Sequence, residues 1–542
     1  MASHDRRIAD LNAFPEPAGA QSRLVEVMAS IPGVRSGMAD RNTIRLAVFA
    51  EQPGQGEVDS VWKKHVQRCS RPVCHQRRYL MKYAHCLLIA IILVPTCALH
   101  AADGPSGKPN IIFLLADDSG FADFGCYGHP YARTPNIDKL AADGTRFTQF
   151  YATGVTCCPT RTGLMTSKWP ASYATYPANG GFADRVTITE LLQKQGYATG
   201  HFGKWHIGPE DQAKSGTYGI DVISSGSGAA KKKNRAGRDA PIYDEAINFI
   251  EQHKDRPFYM NVWGHVSHHK VDPPQSYIDK FKDLVVDESK FAEPMQEKFA
   301  ACKALGGDVS EHMRAYLADI HSLDEDVGRL MKRLDELGLS ENTIVIFSSD
   351  QGAAPIRTDG KKDGGNNEGS DNVRLNAMGY SGIFRGGKHG MFEGGVRVPW
   401  IVRWPGRVPA NRVDENSVIS GIDFLPTLCA ITGVEINAQD FDGEDTSAAW
   451  IGKNEHVRNR PLLWKTSSAN SDAGIRAGQW KLICPTRKNG AELALYDIVN
   501  DPAETQNLVS KHPEIVKTLS DNVEAWVATL PKEYVKSDDR DR

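Results

Sequence analysis

One run of residues limits the architecture more than any other stretch. Pro109-Asn110-Ile111-Ile112-Phe113-Leu114-Leu115-Ala116 is apolar almost throughout, and it ends in Asp117-Asp118-Ser119-Gly120. A strand with one solvated face alternates polar and apolar residues. An unbroken apolar run of this length therefore reads as a central parallel strand buried on both faces. The paired aspartates follow where that strand leaves its sheet.

Strand and helix signals alternate after it. Thr134-Pro135 opens a helix over 134–143, stopped by Gly144. Thr187-x-x-Glu190 is a capping box ahead of Leu191-Leu192. Strands are expected at 197–203, 258–262 and 343–349, and helices at 241–253 and 311–337. The three strands end at Lys204-Trp205-His206, near His265, His268 and His269, and at Asp350-Gln351-Gly352. This alternation implies an α/β fold with a mainly parallel sheet. Polar groups gather where strands end, the edge at which open α/β sheets bind ligands. After Pro426-Thr427-Leu428 the strand signals shorten to 462–464, 480–483 and 493–496, with a turn at Asp501-Pro502 and a helix over 513–529. The expected division is a catalytic domain over 107–440 and a small α+β unit with an antiparallel sheet over 441–542. Stretches 213–238 (Gly/Ser/Lys-rich) and 353–383 (Gly/Asn-rich) read as long loops beside strand ends.

The 542 residues carry a formal net charge of −3 and no long basic stripe, which is no nucleic-acid signature. Lys231-Lys232-Lys233 reads as a solvated loop. Residues 1–80 are polar and aperiodic, unlike the rest of the chain. Met81-Lys82-Tyr83, an apolar run over 86–99 and Ala101-Ala102 form a secretory signal peptide over 81–102, too short to span a bilayer. Translation is then expected to start near Met81, with 1–80 a start-site artefact. Against this, Arg77-Arg78-Tyr79-Leu80-Met81-Lys82 resembles a twin-arginine export motif, which needs an upstream start. The mature product is expected to be periplasmic or secreted, without a membrane span. Six of the ten cysteines lie beyond residue 98 and none forms a Cys-x-x-Cys pair, so a thiolate metal site is not expected. Export leaves room for one or two disulfides.

The chemistry centres on Cys157-Cys158-Pro159-Thr160-Arg161. Phe147, Phe150, Tyr151 and Val155 precede it as an apolar strand-like run, and a helix-compatible run comes after. Pro159 falls in a first helical turn, where its missing N–H does no harm. Cys157 thus stands at a strand-to-helix junction, and a helix N-terminus there favours an anion. Taken alone, the pentapeptide reads first as a buried cysteine pair at a turn. Likewise Asp117-Asp118 and Asp350-Gln351 alone could cap turns. Together they offer three carboxylates and an amide oxygen, hard ligands that suit Ca2+ or Mg2+ rather than zinc.

These residues, with Gly203-Lys204-Trp205-His206-Ile207-Gly208, Gly387-Lys388-His389-Gly390 and Phe392-Glu393-Gly394-Gly395-Val396-Arg397-Val398-Pro399, resemble the motifs of the type I, formylglycine-dependent sulfatases, of the arylsulfatase and N-acetylgalactosamine-6-sulfatase kind. The likeness spans about 109–508 and includes Arg476-Ala477-Gly478-Gln479-Trp480-Lys481-Leu482 and Asp501-Pro502-Ala503-Glu504. Family members more often carry Ser at position 160, Gly at 167 and Asn at 351, where this chain has Thr160, Ser167 and Gln351.

The resemblance implies an alkaline-phosphatase-like α/β/α sandwich and a sulfuric ester hydrolase that splits R–O–SO3− into an alcohol and sulfate. It implies that Cys157 is converted by a maturation enzyme to formylglycine. The hydrated aldehyde has one hydroxyl to attack sulfur, and deprotonating the other expels the sulfate. Asp117, Asp118, Asp350, Gln351 and the modified residue 157 would hold the metal. Arg161, Lys204 and Lys388 would neutralise sulfate oxygens, Lys204 bridging to formylglycine and Lys388 to the leaving oxygen. His206 would bond the formylglycine hydroxyl, and His268 would supply the leaving-group proton, with His265 and His269 as alternatives. The expected substrate is a sulfated glycan, with aryl sulfates also turned over. Two other readings stay open on the sequence: a phosphate mono- or diesterase using the same clamp, and a non-catalytic glycan-binding protein with Cys157 unconverted.

Overall fold

The computed structural model describes residues 107–176, 181–208, 214–226, 237–356, 374–466, 471–485 and 492–534. The N-terminal extension, the signal peptide, the twin-arginine motif, the first four cysteines, Lys231-Lys232-Lys233 and the centres of both expected loops lie outside these residues. No helix among the described residues is long and apolar enough to cross a membrane.

The first strand, β1, covers Asn110–Ala116 and is buried along its whole length. Its two faces enter different cores. Ile112, Leu114 and Ala116 pack into one apolar cluster, and Ile111, Phe113 and Leu115 into another. Each fully buried side chain of this size is worth about 1.5–3 kcal/mol of burial. Helices on both faces supply that cover. On the first face lie α1 (Pro135–Ala142), α4 (Ala240–His253), α5 (Glu293–Ala304) and α6 (Val309–Glu336). Toward the second lie α2 (Cys157–Thr166), α3 (Ile188–Lys194) and α7 (Phe424–Thr432). The expected capping box of Thr187 and Glu190 opens α3.

The remaining strands of this sheet are β2 (Thr145–Tyr151), β3 (Ala198–Gly203), β4 (Val222–Ser224), β5 (Phe258–Trp263), β6 (Thr343–Ser349), β7 (Arg397–Arg403), β8 (Arg412–Asp414) and β9 (Ile419–Ser420). Among the described residues the order is β4-β3-β5-β1-β6-β7-β2-β8, with β9 paired to β2. Every pairing is parallel except those of β7 with β6 and β2. So β3, β5, β1, β6 and β2 all point their carboxyl ends to one edge, and β7 starts from that edge. This is the alkaline-phosphatase-like α/β/α sandwich. A second, antiparallel sheet is formed by β10 (Leu462–Lys465), β11 (Ala473–Ala477), β12 (Trp480–Cys484) and β13 (Ala494–Asp497), with α8 (Pro513–Thr529) against it.

Four features differ from the sequence reading or extend it. The stretch expected as a loop over 213–238 contains the edge strand β4, which pairs in parallel with β3. The small sheet gains β11, whose Ala and Gly carry no strand signal; Gly474 lies against Met391, whose sulfur would stand 3.1 Å from an added Cβ. Strand β7 contains Pro399, yet it runs beside two neighbours. The register of β2 against β7 shifts between Phe147 and Phe150, so the proline sits at a bulge and no ladder bond is lost. Finally, the six described cysteines Cys126, Cys157, Cys158, Cys302, Cys429 and Cys484 are all free thiols.

Helix α2 is buried at all ten positions. Close approach explains Gly163: a Cβ there would overlap Thr153 Oγ1. The helix ends at Ser167 with φ 49°, ψ 35°, in the left-handed region that glycine adopts freely and other residues at a cost of about 1–2 kcal/mol. The Ser167 hydroxyl is also buried without a partner. Ser167→Gly is therefore expected to stabilise the protein by about 1 kcal/mol, raising Tm by roughly 2 °C in calorimetry. An unchanged or lower Tm would show that the serine position is not strained.

Candidate active site

The edge where the parallel strands end collects the polar residues. Asp117 and Asp118 leave β1, Lys204 and His206 leave β3, His265 to His269 leave β5, and Asp350 and Gln351 leave β6. β2 leads to Cys157 at the first position of α2, and Lys388 lies ahead of β7. Backbone constraint accompanies the exits from β1 and β3. Gly203 has φ 100°, and a Cβ there would overlap the Trp263 carbonyl oxygen. Asp118 and His206 adopt φ 62° and 50°, strained values for residues with side chains.

Cys157 Sγ is the centre of the group. It lies 3.4 Å from Asp117 Oδ1 and 3.9 Å from Asp118 Oδ1, and Gln351 Nε2 lies 3.4 Å from it. Lys204 Nζ donates to Asp117 Oδ2 at 2.5 Å, and Lys388 Nζ to Asp118 Oδ2 at 2.7 Å. Arg161, fully buried, holds Asp350 Oδ2 through Nε and Nη2 at 3.0 and 2.9 Å and donates Nη1 to the Lys204 carbonyl at 2.9 Å. Asp350 Oδ1 accepts the backbone N–H groups of Asp118 and Gln351. Of the three histidines after β5, the structure brings His268 to the cluster, with Nε2 3.7 Å from Asp118 Oδ2. Its Nδ1 is 2.6 Å from the His269 carbonyl oxygen, which makes Nδ1 the donor there and turns Nε2 toward the cluster. His265 and His206 are exposed.

Charge decides the protonation states. Burial disfavours the ionised carboxyl of Asp117, but Lys204, His268 and Arg161 hold it well below the usual range. Asp118 is likewise lowered, with Lys388 opposing burial. Burial and the charges of Asp117 and Cys157 push Asp350 up against the pull of Arg161. His268 is desolvated, yet Asp117 and Asp118 raise it to about 9. His206 shows solvent-accessible surface, but its concave setting desolvates it and Lys204 and Arg161 repel a proton, so its pKa falls to about 3. The surroundings thus drive His268 toward the protonated form and His206 toward the neutral one. Three carboxylates face three permanent cations, and the acids crowd one another.

That donor set fits a divalent ion. Ligand atoms of Asp117, Asp118, Cys157 and His268 all lie within 4.8 Å of one another. The Gln351 amide points Nε2 at the Asp118 carboxylate, while its Oε1 is buried without a partner. Half a turn of this amide presents its oxygen to the cluster instead, the orientation an ion would select. Asp350 is the most committed member, since it accepts two hydrogen bonds from the Arg161 guanidinium and two from the backbone N–H groups of Asp118 and Gln351.

Several supporting residues carried no signal in the sequence. Asp239 stands before α4 like a helix cap, yet its carboxylate accepts the N–H groups of His265 and Val266 at 2.9–3.0 Å. Arg238 donates to the carbonyls of His268 and Lys270, both at 2.8 Å. A buried hydroxyl chain runs from Ser119 through Ser267 and Tyr316 to Asp123. These residues are far apart in the chain, and a side chain that props a loop from another element leaves no local pattern.

A family model described as Sulfatase matches residues 109–434, more than half of the chain. A second, N-sulphoglucosamine sulphohydrolase, C-terminal, matches residues 380–528. Arylsulfatase A of Homo sapiens is 28% identical over 523 residues, covering 82% of this chain and 93% of that protein. An N-acetylgalactosamine-6-O-sulfatase of Bacteroides thetaiotaomicron is 29% identical over 501 residues, covering 78% and 93%. A protein solved in complex with k-i-k-neocarrahexaose superposes with a TM-score of 0.64 at 24% identity, over 79% of this chain and 94% of that one.

In the unconverted protein, burial raises the Cys157 thiol pKa, but Lys204 and Lys388 outweigh it and the net shift is downward. Burial pushes the adjacent Cys158 up to about 12. Of these two buried thiols, Cys157 is therefore expected to react with iodoacetamide at the lower pH, as read in peptide mass spectra. Lys204→Met or Lys388→Met should move labelling to higher pH, because a lost ammonium group raises the thiol pKa. Equal labelling of the two cysteines would contradict this electrostatic account.

Proposed function

The chain belongs to the sulfatase family and is a sulfuric ester hydrolase, and on that premise we propose that it hydrolyses sulfate monoesters of glycans with a formylglycine made from Cys157 and a bound divalent cation. The observation that carries the reading is the convergence on Cys157 Sγ of two carboxylates, with two lysines and His268 beside them. Converted, position 157 offers two hydroxyls on one carbon, one to attack sulfur and the other to release sulfate once deprotonated. Conversion also replaces the sulfur of the donor set by oxygen, leaving Asp117, Asp118, Asp350, Gln351 and residue 157 as hard ligands for Ca2+, or Mg2+. An ion held there supplies Lewis-acid polarisation of a sulfate oxygen.

The chain's own residues perform the rest. Asp117 and Asp118 now occupy the ammonium groups of Lys204 and Lys388. With those carboxylates given to a cation, Lys204 and Lys388 would be free to turn to sulfate oxygens and form a clamp with Arg161. Neutral His206, beside Lys204, accepts the proton of the residue-157 hydroxyl. Protonated His268, its Nδ1 tied to a backbone carbonyl, presents Nε2 to the leaving oxygen as general acid. Catalysis falls to residues 107–440, and 441–542 complete the smaller unit. The relative active on N-acetylgalactosamine 6-O-sulfate supports a sulfated saccharide substrate. The reading includes export to the periplasm or medium and a formylglycine-generating enzyme as maturation partner.

Active protein is expected to yield a peptide in which residue 157 has lost its sulfur while the adjacent Cys158 keeps its own, read by fragment-ion mass spectrometry, and a bound divalent ion in elemental analysis. Chelation should abolish sulfate release from sulfated saccharides. Full activity in protein that keeps the Cys157 thiol, or after complete removal of metal, would sink the mechanism.

The roles of the two histidines separate by leaving group. A sugar alkoxide leaves poorly without a proton, whereas a nitrophenolate leaves unaided, and general acid catalysis is worth ~100- to 10,000-fold. His268→Ala is expected to damage sugar sulfate hydrolysis far more than nitrophenyl sulfate hydrolysis, while His206→Ala slows both. Equal losses for His268→Ala on both substrates would remove it from the acid role.

A further inference from the structure

The loop that carries Lys388 is rich in glycine, and its middle is tied by the Lys388 N–H to the Ala353 carbonyl at 3.0 Å and by the His389 N–H to the Val155 carbonyl at 2.9 Å. Between Arg385 and Glu393 it reads Gly386-Gly387-Lys388-His389-Gly390-Met391-Phe392, and glycine restrains the backbone least. Lys388 Nζ nevertheless has to meet one point beside Cys157. We propose that Glu504, on the segment between β13 and α8, is a positioning residue for Lys388 that grips both ends of this loop; the inference rests on the reading of Lys388 as a sulfate ligand.

At one end, Arg385 Nη1 donates to the Glu504 carbonyl oxygen at 3.0 Å, and its guanidinium lies over the Phe392 ring at 4.2 Å. At the other end, the Glu393 backbone N–H donates to Glu504 Oε2 at 2.7 Å. Glu504 is itself fixed. Its Oε1 pairs with Lys481 Nζ at 3.0 Å, and Lys481 reaches Glu393 Oε1 at 2.8 Å. The second Glu393 oxygen accepts from Tyr151 at 2.7 Å and lies 3.3 Å from Arg397 Nη1, joining the grip to β2 and β7. Glu393, Lys481 and Glu504 are 0% exposed. Glu504 also has φ 56°, a strained value that persists where the surroundings impose it.

A buried ion cluster is a poor way to gain stability, since apolar side chains of similar volume often do as well or better. What it supplies is direction. The contacts to Glu504 hold both ends of the Lys388 loop, and those of Glu393 join one end to β2, β7 and β12. This gives a use to Lys481 and Glu504, which stand in two C-terminal motifs remote from the reacting sulfur.

The test is a double-mutant cycle. Glu504→Ala and Arg385→Ala are each made in the wild-type and Lys388→Ala backgrounds; Arg385 is exposed, and loss of an exposed side chain leaves folding intact. Readouts are kcat and KM on an aryl sulfate, inhibition by inorganic sulfate, bound metal and Tm. Either variant is expected to weaken sulfate inhibition and to lower kcat/KM by about 10- to 100-fold, the scale of a misplaced catalytic group. In the Lys388→Ala background the further loss should be less than about 3-fold, because the loop no longer carries the group. Metal content should not change. A fall in Tm with sulfate inhibition unaltered, or equal losses in both backgrounds, would overturn the proposal. If Glu504→Ala does not fold, Arg385→Ala decides by the same criteria. Wild-type protein that releases no sulfate from any ester would instead overturn the catalytic reading.

Discussion

Everything at the functional edge depends on one electrostatic constraint: three carboxylates are buried together at the end of a parallel sheet. Each ion taken out of water costs several kcal/mol unless it is paired. Asp117, Asp118 and Asp350 are all at most 2% exposed, so the fold must bring cations to them. Arg161 answers for Asp350 and is held between that carboxylate, the Lys204 carbonyl and the Trp263 ring, 5.2 Å from its guanidinium carbon. Lys204 and Lys388 answer for the other two. The resulting balance sets three permanent cations against three buried acids.

The same constraint sorts the histidines. His206 and His268 have similar intrinsic chemistry, but one faces Lys204 and Arg161 and the other faces Asp117 and Asp118. Their pKa values are driven apart by position alone, the pattern by which acid and base roles are divided within one site. Backbone strain gathers here too. Asp118, His206 and His389 all take positive φ within reach of strand ends, and such residues persist where a site requires a fixed direction.

The second sheet enters this arrangement through buried charge rather than through the cleft. Lys481 of β12 is fully buried against Glu393, in the motif that precedes β7. Apolar packing of Tyr151, Val155, Met391 and Val396 against Leu462, Trp464 and Ile475 closes the same junction. The charged contacts give that apolar seam a register that hydrophobic burial, being non-directional, does not supply.

The sequence by itself determined the architecture of the sheet and which polar residues stand where its parallel strands end. Asn110–Ala116 could only be a strand covered on both sides, and Asp117, Lys204, His268 and Asp350 each came after an apolar run of strand length, so parallel strands alone would bring them to one edge. The motifs around Cys157 and Lys388 named the chemistry through resemblance. What the sequence did not contain was any relation between residues far apart in the chain. It left His265 and His269 as alternatives to His268, and the fold brought His268 to Asp118 because Asp239 and Arg238 hold the backbone around it. It gave no hint that β7 runs against its neighbours, since Pro399 is tolerated only through a bulge in β2. It offered Glu393, Lys481 and Glu504 as separate motifs, and tertiary contact made them one buried cluster. Local pattern records burial and backbone preference residue by residue; the pairing of charges across elements is decided where the chain folds back on itself.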